Sequence, residues 1–290
     1  MLISKYLVEK SMSSKNILII LYLIGFSTFS NSSIYGQGNL LVSPKRLIFQ
    51  GNKKNLEINL ANTGKDTARY LVSIMEIRMK EDGAFEEIKE PDPGQNFSSK
   101  YLRFFPRSVS LGPNEAQTIK VQLVKADQLA AGEYRSHIYF RAIPNEKPLG
   151  EGADATKDSS IVVKLTPVFG ITIPAIIRVG ESTTKTSFSD GSFTMVGDTL
   201  PRISMTINRT GNMSTYGNIV VELVGANGSV TPVGSANGVA VYTPNAIRRF
   251  TFDLDKSKKN NYHSGKLHVS YETEGTDNPV KLAEEDIPLH

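Results

Sequence analysis

The side chains able to do chemistry are few and scattered. Four histidines, His137, His263, His268 and His290, are the residues best suited to proton transfer and metal ligation. A zinc centre needs three or four closely spaced ligands. Here His263 and His268 sit five apart, with neither a thiolate nor a carboxylate cluster beside them. The chain has no cysteine, which excludes thiolate nucleophiles, thiolate metal sites, disulfides and a lipid-modified cysteine anchor. Paired acids occur in EDG (81–83), FEEI (85–88) and AEED (283–286), at turns and strand ends where solvated charge accounts for them. EPDPG (90–94) has acids and a glycine but lacks the alternating ligands of a calcium loop. GxSxG, HExxH and P-loop motifs are missing as well. These patterns predict a protein that is not an enzyme and that uses no metal or small-molecule cofactor.

Burial is the other chemistry a sequence can offer, and it is concentrated in IVVKLTPVFGITIP (161–174). Every odd position from 161 to 173 is apolar (Ile161, Val163, Leu165, Pro167, Phe169, Ile171, Ile173), while the even ones include Lys164, Thr166, Gly170 and Thr172. Period-two alternation places the apolar set on one face of a strand. Thirteen residues at roughly 3.3 Å each reach about 43 Å, roughly twice the usual strand. A strand of that length covers more than one surface.

The elements around this stripe are short strands punctuated by Gly, Pro, Asn and Asp. The alternation predicts strands at 40–50, 55–62, 69–79, 101–104, 108–111, 116–124, 133–143 and 161–177. A second set falls at 186–196, 202–208, 217–225, 229–234, 238–242, 247–254, 265–272 and 279–289. KADQLAAGEY (125–134) has room for one helical turn, and GANGSV (225–230) carries the Asn-Gly of a hairpin. Residues 144–160, rich in Gly, Pro and charge without apolar periodicity, read as a mobile loop. The 290 residues, 39% apolar and 21% charged, suit an all-β chain of two sandwiches in tandem, of seven or eight strands each, divided near RVGES (178–182).

At the N-terminus Lys5, Lys10 and Lys15 precede an apolar run at 17–26 and then the small, polar STFSNSSIYGQG (27–38). This is the pattern of an export signal, with an apolar run too short to span a bilayer. Met12 offers a second start, and cleavage is expected near Gly36. Loss of residues 1–36 removes three lysines and Glu9 from 33 basic and 29 acidic residues, leaving a net charge of +2. Near-neutrality, and the lack of basic runs interleaved with aromatics, exclude nucleic acid as a partner. An exported chain without disulfides relies on packed cores, which sandwiches of this size supply.

Six stretches taken together resemble a known family. They are VSPKRLIF (42–49), SLGPNEAQTIKVQL (110–123), AGEYRSHIYFRAIP (131–144), FGITIPAIIRVG (169–180), NRTGNMSTYGNI (208–219) and GVAVYTPNAIRRFTFDL (238–254). In order and spacing they are similar to periplasmic pilus-assembly chaperones of the PapD-like class, especially the variants serving archaic-type pili. The resemblance implies two immunoglobulin-like β-sandwiches in a boomerang arrangement: a signal peptide at 1–36, an N-terminal domain at 37–178 and a C-terminal domain at 179–290. It implies a one-to-one complex with pilin-like subunits whose sandwiches lack a last strand, formed without ATP before delivery to an outer-membrane usher. The chaperone's long G strand would complete the subunit by strand addition.

On this reading Ile161, Val163 and Leu165, with Phe169 beyond them, are the subunit-binding side chains. Burying three such residues contributes roughly 5–9 kcal/mol before ordering costs. Arg46 matches the arginine that grips the subunit's terminal carboxylate. The family's second basic residue, on the G strand, has no counterpart at 168–170; Lys164 lies on the other face, and Thr172 offers a hydroxyl. Arg135 is expected to orient the two domains through a salt bridge. The exposed strand also implies a self-dimer when no subunit is bound. The competing expectation is a secreted structural or adhesive immunoglobulin-like surface protein, for which the absence of tryptophan removes a favoured carbohydrate platform. A third is an accessory domain of a secretion system.

Overall fold

The structure, a computed structural model, describes residues 39–144, 168–257, 260–275 and 278–289. The export signal, nearly all of the 144–160 segment and positions 161, 163 and 165 lie outside the described residues.

The chain enters the first sandwich as β1 (Leu40–Ser43), pairs it with β3 (Asn55–Asn62), and between them crosses to the opposite sheet as β2 (Leu47–Gln50). The single strand expected over 40–50 is therefore two. Pro44 has no N–H for a ladder, and the chain changes sheets there while Leu40, Leu47 and Phe49 all still reach one core. β4 (Ala68–Met75) and β5 (Ile77–Met79) likewise divide the strand expected at 69–79. β5 pairs with β6 (Phe85–Glu87), a strand hidden in the sequence by its two adjacent acids, to form a separate two-stranded ribbon. The unit is completed by β7 (Leu102–Phe105), β8 (Ser108–Leu111), β9 (Ala116–Leu123), β10 (Gly132–Ile143) and β11 (Gly170–Val179). The expected helical turn is a short 3-10 segment at Ala126–Gln128.

The two sheets run β1-β3-β9-β7 and β2-β11-β10-β4-β8, an immunoglobulin-like order in which the first strand switches sides. Alternation does the packing. Ile58 and Leu60, Ile119 and Val121, Ile138 and Phe140, Ile173 and Ile177 point between the sheets and are almost wholly buried.

The second sandwich holds β12 (Lys185–Val196), β13 (Leu200–Thr210), β14 (Thr215–Val224), β15 (Val230–Val241), β16 (Ile247–Asp253), β17 (Gly265–Glu272) and β18 (Lys281–Leu289). Its sheets are β12-β13-β16 and β15-β14-β17-β18 around a second core of Ile203, Ile207, Ile219, Val221, Leu267 and Val269. The Asn227-Gly228 turn joins β14 and β15 as the dipeptide implies. β15 fuses the two strands expected at 229–234 and 238–242. Two register shifts against β14 and a positive φ of 70° at Gly238 carry it through the bend without a break.

Between the sandwiches lies a third, small apolar cluster: Met79 and Ile176 from the first, Ala240 and Tyr242 from the second.

Candidate functional site

β10 presents opposite characters on its two faces. Ile138, Phe140 and Ala142 enter the first core, while Glu133, Arg135 and His137, two residues apart, share the face that meets the second sandwich. All three are about 2% exposed. Glu133 stands directly opposite Arg178 of β11 and accepts a hydrogen bond from its Nε at 3.0 Å. The same carboxylate accepts from the Ser214 backbone N–H at 3.0 Å, from the Ser214 hydroxyl, and from the Thr243 hydroxyl at 3.4 Å. Arg178 also donates from Nη2 to the Ser214 carbonyl at 2.9 Å.

Arg135 binds both sandwiches through carbonyl oxygens, donating to Ile77 O at 3.3 Å and Thr243 O at 3.4 Å, with its Cζ 4.4 Å from the Tyr242 ring centroid. The salt bridge expected of Arg135 is thus made by Glu133 and Arg178 instead, among the described residues. On the far side Arg209 donates to the carbonyls of Gly211, Met213 and Asn245 at 2.8–2.9 Å, fixing the loops that carry Ser214 and Thr243. Asn245 reaches back to Met79 O at 2.7 Å. Each buried charge at this seam is thereby matched by a partner on the opposite sandwich or by a carbonyl.

His137 lies between Phe85 and Tyr242, with ring centroids 5.8 and 6.4 Å away. Burial, and then the charge of Arg135, push its pKa from an ordinary 6.5 down to about 3. Its folded form is neutral where an unfolded imidazole is protonated, so its contribution to stability is intact above about pH 6.5 and is lost as pH falls toward 3. Between pH 7 and pH 5 the folded chain should lose about 2 kcal/mol from this residue. Glu76, held above the usual carboxylate range by burial, works in the opposite sense because its folded form binds a proton more tightly. Urea unfolding at the two pH values, with His137→Gln beside the parent chain, isolates the histidine. An equal pH dependence in both proteins would refute the assignment.

A cleft of about 700 Å³ opens beside the seam. Arg46, just before β2, Ile48 within it, and Arg178 form one wall; Lys185, Tyr216, Glu274 and Lys281 stand on the other, among several Ser and Thr hydroxyls. The Arg46 guanidinium lies flat on Tyr216, its Cζ 3.6 Å from the ring centroid. Its Nε and Nη2 are buried and have no hydrogen-bond partner among the described residues. Burial, and then the Glu274 carboxylate bonded to it, hold the Tyr216 hydroxyl above the usual phenol range.

β11 leaves part of one edge open. The Ala142 N–H donates to Phe169 O at 2.9 Å, so the odd residues of β11 exchange hydrogen bonds with β10. The even residues turn their N–H and C=O groups to the other edge. There β2 begins to pair only at Ala175, which leaves Gly170 and Thr172 without a strand partner among the described residues. Tyr139 lies across Gly170 so closely that a Cβ there would sit 2.2 Å from its ring. Ile173 is buried in the first core and Ile171 packs against it, whereas Phe169 is 49% exposed and Val168 41%.

Of the residues singled out in the sequence, Arg46 therefore lies in the cleft, Arg135 in the seam and Phe169 where β11 leaves the core, while Ile161, Val163 and Leu165 lie outside the described residues. Sequence reasoning missed Glu133 and Arg178. The available signal was Glu133, Arg135 and His137 at alternate positions of a strand whose other face carries Ile138, Phe140 and Ala142.

The fold and seam define a pair of immunoglobulin-like sandwiches joined by a buried polar network. No family model matches the chain, and no curated protein matches it. Among solved structures it is similar to the YadV chaperone, at 13% identity and a TM-score of 0.43, covering 87% of this chain and 100% of that one. The CsuC–CsuE chaperone–tip subunit pre-assembly complex of archaic Csu pili from Acinetobacter baumannii gives 12% identity, a TM-score of 0.43, and coverage of 84% and 98%. The periplasmic chaperone SfaE gives 10%, 0.40, and coverage of 83% and 98%.

Proposed function

We propose that this chain is an exported, ATP-independent periplasmic chaperone that caps pilin-like subunits in a one-to-one complex, by lending them a strand before an outer-membrane usher takes them over. The observation that carries the reading is the open edge at Gly170 and Thr172, in line with the apolar stripe that continues through Phe169, Leu165, Val163 and Ile161. An unfinished sandwich needs a strand with free ladder groups and one apolar face; Gly170 and Thr172 offer the first, and the sequence of the stripe supplies the second. Arg46, a cation lining the cleft, supplies a site for the terminal carboxylate of such a subunit.

Thr172→Pro tests the edge. Its N–H faces away from β10, and Pro174 already sits at the same parity two residues on, so proline there spares the fold. It removes a ladder donor from the open edge and places a ring in the path of an incoming strand. Capture of a co-expressed pilin-like subunit should weaken by about 2–4 kcal/mol, roughly 30- to 1,000-fold, with the melting temperature of the free protein nearly unchanged. Undiminished capture by a well-folded Thr172→Pro protein refutes strand addition at this edge.

A further inference from the structure

Tyr139, on the outward face of β10, stands directly opposite Thr172 of β11 on one side and Ser73 of β4 on the other. Its half-buried side chain leans diagonally to Gly170: a Cβ built there would lie 2.6 Å from the hydroxyl oxygen, 2.7 Å from Cζ and nearer still to Cε2. The tip of the side chain has therefore crossed the interval of about 4.8 Å between the two strands and lies over the β11 backbone. Gly170 pairs in register with Arg141, and its φ is outside the left-handed region, so neither a bulge nor a turn calls for glycine here. The Tyr139 ring does. At the same residue β11 turns its ladder groups to the edge that has no strand partner among the described residues.

A strand added at this edge lies about 4.8 Å beyond β11, and the residue it sets opposite Gly170 shares the outward face. Gly170 offers that residue no side chain, so its cross-strand neighbour is the tip of Tyr139. We infer that Tyr139, reaching over Gly170, is a contact residue for the captured strand, resting on the strand addition proposed at this edge, and that it favours a β-branched or aromatic side chain at the one subunit position opposite Gly170. Aromatic rings pair best across strands with aromatic or β-branched partners, and a ring laid over an edge glycine supplies the packing that glycine lacks. The apolar stripe at odd positions serves the subunit's interior from one face of the joined sheet, while Tyr139 holds the added strand from the other.

The probe is a pilin-like subunit co-expressed with the full mature chain, with capture and the melting temperature of each free variant measured together. Tyr139→Ala should weaken capture about 3- to 10-fold, and Tyr139→Phe, which keeps the ring, by less than about 2-fold. Gly170→Ala should match Tyr139→Ala, because its Cβ drives the ring aside, and the double variant should be no weaker than either single. A photoreactive benzoylphenylalanine at position 139 should cross-link to one short segment of the subunit, whereas the same group in place of Ser73, on the side of Tyr139 away from the edge, should not. Serine at the linked subunit residue should weaken capture by the parent chain about as much as Tyr139→Ala does, and leave capture by Tyr139→Ala unchanged. If Tyr139→Ala fails to fold, Gly170→Ala and the cross-link decide. Undiminished capture by a folded Tyr139→Ala protein, or no cross-link from position 139, overturns the contact; if Thr172→Pro still weakens capture, strand addition stands without it. Capture that Thr172→Pro does not weaken, or no capture by the parent chain, overturns both.

Discussion

Glu133→Ala lowers the stability of the folded chain by about 3–5 kcal/mol, the range for removing one partner of a buried ion pair. The Glu133 side chain is fully enclosed, and its two oxygens serve Arg178, the Ser214 N–H, the Ser214 hydroxyl and the Thr243 hydroxyl. Alanine abandons all of these donors at once. Arg178, only 18% exposed, keeps a charge that water reaches poorly, and the Ser214 N–H loses its acceptor. Glu133→Gln is no rescue, because one carboxylate oxygen becomes an NH2 group facing N–H and O–H donors. For a chain of this size the loss corresponds to a fall in melting temperature of about 6–20 °C. Thermal and urea unfolding of Glu133→Ala, Arg178→Ala and the double variant measure it. The double variant should be less destabilised than the sum of the singles, since each single leaves a stranded partner. A loss under 1 kcal/mol for Glu133→Ala, or strict additivity, would mean the seam is held elsewhere.

What was legible in the sequence follows from how local each signal is. Period-two alternation located nearly every strand, because each strand packs one face and the pattern needs no knowledge of its neighbours. The failures are places where a partner decides. Pro44 sends the chain from one sheet to the other, and Glu76 separates β4 from β5; both depend on which strand lies alongside. β6, only Phe-Glu-Glu, has no apolar period and exists because β5 pairs with it. At the site, Arg46 and Arg135 were found through a resemblance rather than through their chemistry. Glu133 was passed over since a lone glutamate at a strand start usually reads as solvated charge. Its burial is created by a loop 81 residues away in the chain, where Ser214 supplies both an N–H and a hydroxyl. Such a pairing leaves no mark in either segment taken alone.

Serine at positions 161, 163 and 165 together should weaken capture of a pilin-like subunit by about 1,000-fold or more, with the melting temperature of the free protein unchanged. The two halves of that expectation come from one parity. Along β11 the odd side chains Ile171, Ile173 and Ile177 belong to the first core, and at Phe169 the same face has turned toward solvent. The stripe continues at odd positions beyond the last residue the first core claims, so in the proposed complex Leu165, Val163 and Ile161 belong to another chain's interior. Each contributes about 1.5–3 kcal/mol on burial, and ordering the segment offsets part of the sum, leaving roughly 4 kcal/mol at stake. Lys164→Ser with Thr166→Ala changes the opposite face and should leave capture within about 3-fold. Ile173→Ser instead strikes the first core and should unfold the protein before capture can be asked about. The readout is recovery and protease resistance of the co-expressed subunit, with thermal unfolding of each free variant alongside. A subunit equally protected by the triple-serine protein, or equally lost with the Lys164 and Thr166 changes, would show that no apolar face is being lent.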